Sequence, residues 1–536
     1  MKRRHKGLGA IALVTAASLA LVGCGSGGDG GSGGGNDGAI ISTNGTEPQK
    51  PLITYDTTEV GGGRILKQIY AGLVYYDADG AVQNEIAESI DSDDATLWTI
   101  KLNDGWTFTN GEAITAQTFV DTWTHAATDP AGAYWFTNVE GVSEDGSTEP
   151  TGLTVVDDLT FTVQLTQPES DYPLRLGYEA YMPFPSVAFD DIDAYGENPI
   201  GNGPYMLDGE GAWRHDEGIT LVKNPDYKGG RAPQNDGVDI RFYTTLESAY
   251  ADVQGGNLDV LDQIPDTAFG TYASEFDGRN VNQPAAIFQA FNMGFYVEGF
   301  GQDEEGALRR QALSLAVNRD EITDTIFQGT RTPATDFTSP VIAGYTDQLE
   351  GADLLTYDPD RAKDLWAQAD AIKPFSGNPI TIAYNSDGGH QAWVDAVANS
   401  ISNTLGIPAE GQPYPTFAAA LDDRENQVLT GGTRAGWQGD YPSQANFLSP
   451  LYSTGGTSNY EGYSSPEFDQ KLADAAAASS VDEATQLYHE AQEILLTDMA
   501  SIPLWYQNAV SVWSESVNDV TIGWDSVPLF YQITKA

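Results

Sequence analysis

One cysteine in 536 residues, Cys24, removes most sulfur chemistry at the outset: no intramolecular disulfide can form, and no thiolate serves the body of the chain. Basic residues are also scarce. Lys plus Arg number 26 against 77 Asp plus Glu, a formal net charge of −51, and a surface so acidic excludes a nucleic-acid partner, whose phosphates require positive charge. The acidity reads first as a solvated, soluble surface. Five histidines, His5, His125, His215, His390 and His489, stand far apart with no His-x-x-x-His or Glu-x-x-His spacing, so no metal is expected. No Gly-x-Ser-x-Gly elbow joins a strand to a helix, and Gly61-Gly62-Gly63 lacks the Lys-Ser/Thr pair of a phosphate loop, so neither a catalytic nucleophile nor a cofactor is expected. Carboxylates are too numerous for any pair to signal acid–base catalysis, which leaves a secreted acidic hydrolase as a remote alternative.

Long apolar runs are missing too, except at the start. Lys2, Arg3, Arg4 and Lys6 precede an apolar stretch from Leu8 to Val22, shorter than the roughly 20 residues a membrane-spanning helix needs. Residues 1–23 therefore read as a secretion signal. Its end, Leu21-Val22-Gly23-Cys24, resembles the bacterial lipobox, which implies lipidation of Cys24 and attachment to the outer face of the cell membrane. Residues 24–47, rich in Gly, Ser, Asn and Asp, read as a flexible tether.

Beyond the tether, strand and helix patterns interleave, which indicates an α/β chain of two or three lobes. Leu52-Ile53-Thr54-Tyr55 reads as a first strand, with the glycine run leading into a helix through Ile65, Leu66 and Ile69. Alternation predicts a strand from Leu97 and a hairpin pairing Leu153–Val156 with Leu159–Leu165; Thr115 is placed to cap a helix. Helices are expected over 304–317, after Asp320, after Asp358-Pro359, over 391–405, after Ser465-Pro466 and after Ser480. Ile380 to Tyr384 forms a strand delivering His390 at its C-terminal edge, where open α/β sheets hold ligands. Ile502 to Val512 closes the pattern as an apolar strand.

The stretch Gly432-Thr433-Arg434-Ala435-Gly436-Trp437-Gln438-Gly439-Asp440-Tyr441-Pro442 reads as a glycine-rich turn that sets a carboxylate beside two aromatic rings, a combination suited to an ammonium group. Taken alone, the turn is equally compatible with aromatics tucked into a core.

The run Trp106 to Val120, the turn Gly201-Asn202-Gly203-Pro204-Tyr205, the helix Arg309 to Arg319 and the Trp437–Tyr441 stretch together resemble the extracellular solute-binding proteins of peptide ABC importers, family 5, from about residue 48 onward. The resemblance implies a type II periplasmic-binding-protein fold of two lobes with a small inserted domain: lobe I at 48–72, 195–290 and 508–536, the insert at 73–194, and lobe II at 291–507. Two hinge crossings would lie near Phe291 and Asn508. By the same resemblance Asp440 would hold the α-ammonium of a peptide, and Arg434, Arg424 and His390 its carboxylate. Gly436 and Gln438 would lend backbone groups, while Trp437, Tyr414, Tyr134 and Tyr506 would line pockets. Glu59 and Val60 would supply a strand-like edge. Tyr414 stands where the family has an indole, and Gln438 where enteric members have a half-cystine. The implied function is a monomeric, lipid-anchored receptor passing peptides to a permease with cytoplasmic ATPases, not an enzyme; a receptor of the same fold for oligosaccharides is the alternative.

Overall fold

The structure, a computed structural model, describes residues 39–57, 59–375 and 378–536. Cys24 and the signal segment lie outside the described residues. A mixed sheet runs through the molecule in the order Ala409–Tyr414, Ile380–Asn385, Gly432–Gln438, Asn280–Met293, Ile502–Trp513, Val260–Leu261, Ile40–Gly45, Gly237–Phe242, Gly218–Lys223 and Tyr205–Leu207. Two large apolar cores flank it. One gathers Phe288, Leu313, Trp393 and Trp505 with the helices of the second half; the other gathers Ile41, Tyr70, Trp123 and Ile240.

The long strands Asn280–Met293 and Ile502–Trp513 join the two halves. Val512 and Trp513 pair with Leu261 and Val260, while Ile287 to Met293 pair with Gly432–Gln438. Between these ends the ladder is irregular from Pro284 to Phe288, with Pro284 opposite Asn508. Proline has no N–H to give to a ladder, so the pairing is weakest where the chain passes from one core to the other.

A four-stranded antiparallel sheet, ordered Ala87–Asp91, Leu97–Leu102, Thr160–Gln164 and Leu153–Asp157, forms the inserted region. Its helix Ala116–Ala127 starts with the reciprocal bonds of a Thr115–Thr118 capping box. Phe119 stacks on Phe161 with ring centroids 5.7 Å apart, and Trp123 meets Phe161 edge-on at 5.5 Å. These rings belong to the same core as Ile41 and Ile240, so the insert has no separate interior.

Several local expectations change. The first strand is Ile40–Gly45, inside the segment read as a tether; it pairs in parallel with Gly237–Phe242. Its polar composition is misleading because buried carboxylates satisfy it. The Ser42 amide and hydroxyl both donate to Asp259, at 2.7 and 2.9 Å, and the Asn44 amide donates to Asp262 at 2.6 Å. With that place in the sheet taken, Leu52 to Tyr55 is not a strand but a buried turn. The Gly61–Gly63 run lies within the helix Val60–Ile69, where a Cβ on Gly62 would fall 2.3 Å from Thr57 Cγ2. Asn318, not Asp320, caps the helix Arg319–Thr325.

The largest change concerns Gly432–Gln438, a strand rather than a turn. Gly432 is required by contact: a Cβ there would sit 2.1 Å from the Phe291 ring and 2.6 Å from the Asn292 carbonyl. Glycine here serves close strand packing. Gly432→Ala is therefore expected to destabilise the fold by about 1–3 kcal/mol through overpacking, read as a lower denaturant midpoint with unchanged slope.

Candidate functional site

A cleft of about 400 Å³ opens between the inserted region and the second half of the sheet, within the range of small-molecule and peptide sites. Tyr134, Trp135 and Tyr178 form one wall. Phe288, Ala435, Gly436 and Trp437 form the floor, and Phe417, Leu421, Arg424, Tyr452 and Tyr460 the far side. Asp440 sits at its edge beside Trp437.

Asp440 is positioned by a residue that sequence reasoning missed. Ser443 caps the helix Gln444–Tyr452, accepting from the Ala445 amide, and this places Asn446 in the first turn, facing back. Asn446 Nδ2 donates to Asp440 Oδ2 at 2.9 Å. Its Oδ1 accepts from the Asp440 amide at 2.9 Å and from Trp437 Nε1 at 3.1 Å. One amide thus fixes both the carboxylate and the indole. No sequence pattern marks it, since the contact depends on how the Asp440–Ser443 turn folds. Burial raises the Asp440 pKa to about 7; the Asn446 bond and Lys67 oppose the rise and Glu179 adds to it.

The strand bearing Trp437 offers a second feature. One edge pairs with Asn280–Met293 through Gln438. On the other edge only Gly432 and Thr433 pair, with Ile382 and Ala383; from Arg434 onward no described strand occupies that edge.

Of the residues expected at the site, Asp440, Trp437, Gly436, Arg424 and Tyr134 line the cleft. Arg424 does so already paired: Nε and Nη2 donate to the two carboxylate oxygens of Glu461 at 2.7 and 3.0 Å. Arg434 and His390 do not line it. Arg434 donates through Nε to Asn385 Oδ1 at 2.9 Å, and its guanidinium lies 4.9 Å from the centre of the Phe417 ring. His390 accepts at Nδ1 from Trp393 Nε1 at 3.1 Å, at the start of the helix Gln391–Leu405, as the strand–helix reading expected.

Four assignments are corrected, those of Glu59, Val60, Tyr414 and Tyr506. Glu59 and Val60 form no strand edge: Glu59 caps the helix Val60–Ile69, accepting from the Gly62 amide at 2.8 Å, and Val60 is exposed. Gln438, expected to lend backbone groups, pairs with Ile287 on the strand, and its side-chain Nε2 donates to the Asp525 carbonyl at 2.9 Å. Tyr414 lies outside the cleft lining and donates to Asp423 at 2.8 Å. Tyr506, 1% exposed, belongs to the core. Its hydroxyl accepts from the Thr335 and Asp336 amides at 3.0 and 2.9 Å and donates to Asp336 Oδ1 at 2.7 Å. An apolar strand pattern cannot tell a ring facing the cleft from one facing the core behind it.

Residues 81–459 match the model described as bacterial extracellular solute-binding proteins, family 5 Middle. The oligopeptide-binding protein OppA of Bacillus subtilis (strain 168) is 25% identical over 538 residues, covering 95% of this chain and 96% of that protein. The dipeptide-binding protein DppE of the same organism is 26% identical, covering 97% of each. Among solved structures, the Escherichia coli murein tripeptide binding protein MppA superposes with a TM-score of 0.78 at 22% identity, over 93% of this chain and 99% of that one. Haemophilus influenzae OppA, in complex with RPPGFSPFR, gives a TM-score of 0.76, also at 22% identity and the same coverage. The likeness establishes a two-lobed periplasmic-binding-protein fold.

Because Tyr506 satisfies the buried Asp336 amide and the half-buried Thr335 amide, Tyr506→Phe is expected to cost about 1–3 kcal/mol of stability while leaving ligand affinity unchanged; denaturation and titration calorimetry on the same variant separate the two effects.

Proposed function

The chain belongs to the bacterial extracellular solute-binding proteins of family 5, and from that premise we propose that it is a receptor for peptides, held by lipid on Cys24 outside the cell, which hands its ligand to an ABC permease driven by cytoplasmic ATPases. The carrying observation is a carboxylate beside an unpaired strand edge inside an aromatic cleft. An extended peptide laid along Ala435 to Trp437 would continue the ladder, gaining affinity from its backbone whatever its side chains. Its α-ammonium would then meet Asp440, with the Trp437 face close by. The lobe boundaries 48–72, 195–290 and 508–536, 73–194, and 291–507 follow from the same reading, with Ile40–Gly45 now added to lobe I. The two joining strands supply the hinge, and a ligand touching both walls favours closure. The receptor works as a monomer.

Among the described residues no helix is long and apolar enough to cross a membrane. Attachment through Cys24 is tested separately by labelling with a radioactive fatty acid: incorporation is expected in the native chain and absent from Cys24→Ser.

Two outcomes test the ligand. Asp440→Asn, which leaves a buried ammonium without its partner, is expected to weaken binding of an unblocked peptide by about 3–5 kcal/mol; unchanged affinity in titration calorimetry sinks the assignment. The second outcome depends on pH. Burial keeps Asp440 protonated up to about pH 7 in the free protein, whereas an ammonium requires the carboxylate. Binding near pH 6 is therefore expected to release a proton, and affinity to fall as pH drops below 7. Repeating the calorimetry in buffers of different ionisation enthalpy measures this release, which should vanish in Asp440→Asn. The stability effect of the free protein has the matching sign. A carboxyl whose pKa rises on folding contributes stability that is fully present below its unfolded pKa of about 3.9 and lost as pH rises through about 7.

A further inference from the structure

Among the described residues Arg424 is the one cation lining the cleft, yet it already has a carboxylate. Glu461 meets it in the two-pronged geometry a peptide C-terminus would use, with oxygens 2.7 and 3.0 Å from Nε and Nη2. Both side chains are largely removed from water, at 12% and 7% exposure, and the Tyr460 ring packs against the guanidinium at 4.9 Å. The Glu461 backbone is itself held, its carbonyl accepting from the Phe295 amide at 2.9 Å. A ligand carboxylate could take these two donors only by leaving Glu461 buried and unpaired, which is strongly unfavourable. Nη1 makes no hydrogen bond to a described residue, so it can still donate to a neutral carbonyl.

Resting on the peptide reading, we infer that Glu461 is a specificity-determining residue: it fills Arg424 with an internal carboxylate, so that this side of the cleft receives a neutral stretch of ligand backbone and not a free C-terminus. Among the described residues the cleft lining then carries one acidic group with no cation bonded to it, Asp440, and reads the amino end of its ligand. At the peptide length whose last residue falls beside Arg424, a C-terminal amide is accepted as readily as the free acid. Removing the Glu461 charge converts Arg424 into a carboxylate anchor.

The test is titration of di- to pentapeptides, each as free acid, C-terminal amide and N-acetylated acid, against the full-length protein and the variants Glu461→Gln, Arg424→Gln and the double neutral variant, with the folded fraction of each checked by circular dichroism. At one length, Glu461→Gln is expected to raise the acid-to-amide affinity ratio by at least about 10-fold, while the native protein holds that ratio within about 3-fold of one. The double variant, which buries no lone charge, should keep the native ratio, and this comparison stands even if Glu461→Gln does not fold. The inference is overturned if the native protein strongly prefers acids at a length where Arg424→Gln abolishes the preference, or if Glu461→Gln folds and shifts the ratio at no length. N-acetylation isolates the underlying reading: if peptides fail to bind, or bind equally when acetylated, the peptide assignment falls and takes the role of Glu461 with it; if acetylation weakens binding but the ratios do not move, only Glu461 is at fault.

Discussion

A carboxylate kept out of water with no cation bonded to it is the constraint around which the cleft is arranged. Asp440 receives one side-chain hydrogen bond, from Asn446, and burial holds its pKa near 7. Such a group is costly unless neutralised, either by a proton or by an incoming positive charge. The surroundings are built to keep it that way. Trp437 shares the Asn446 clamp, Tyr178 and Tyr134 face it across the cleft, and Lys67, the nearest cation acting on it, is committed to Asp525 at 2.7 Å. On the proposed reading an ammonium would take the place of that proton.

The same arrangement depends on how the halves are joined. Asp440 follows the strand Gly432–Gln438, which is pinned to Asn280–Met293 on one side, and Gly439 continues the attachment by donating to the Ala286 carbonyl at 2.8 Å. Ala286 in turn donates to the Trp524 carbonyl at 2.7 Å. A short relay therefore runs from the carboxylate's turn through the joining strand to the C-terminal segment, reinforced by the Gln438–Asp525 bond. On the opposite wall, Ser443 donates to Asp171 at 2.6 Å, and the Arg175 guanidinium lies 5.6 Å from the centre of the Tyr441 ring. These contacts across the cleft are polar and local, unlike the two extensive apolar cores on either side of the sheet.

Much of the scaffold was legible in the sequence because the signals were local. The helix Gln391–Leu405 has the bounds its periodicity set, the helix Pro359–Ile372 is capped by Asp358, and the 153–165 hairpin pairs as read. What failed was whatever depended on a distant partner. Ile40–Gly45 looked like linker because Asp259 and Asp262, which satisfy its polar side chains, lie more than 200 residues away. Gly432 and Gly436 looked like turn residues because the Phe291 ring that needs the space at Gly432 is remote in sequence. At the site, Gly436, Trp437 and Asp440, neighbours on one strand and turn, come together in the cleft lining. Tyr506 was placed in a pocket, where only the fold reveals that Asp336 holds it in the core, and the Glu461 partner of Arg424 was equally invisible in the sequence.

The overall acidity and the chemistry of the cleft turn out to be separate matters. A net charge of −51 sets a field over the whole surface, but at physiological salt such a field decays over about 8 Å and acts on the rate of encounter more than on fit. Inside the cleft the charge is nearly spent: Arg424 and Glu461 cancel, aromatic and small residues make up much of the lining, and among the described residues Asp440 remains. A cation drifting in from the acidic surface gains little there unless it can also lie along the open strand edge past Arg434 and reach one fixed carboxylate. On the proposed reading, selectivity for an ammonium on an extended backbone, over a free cation, would follow from that geometry rather than from the number of negative charges outside.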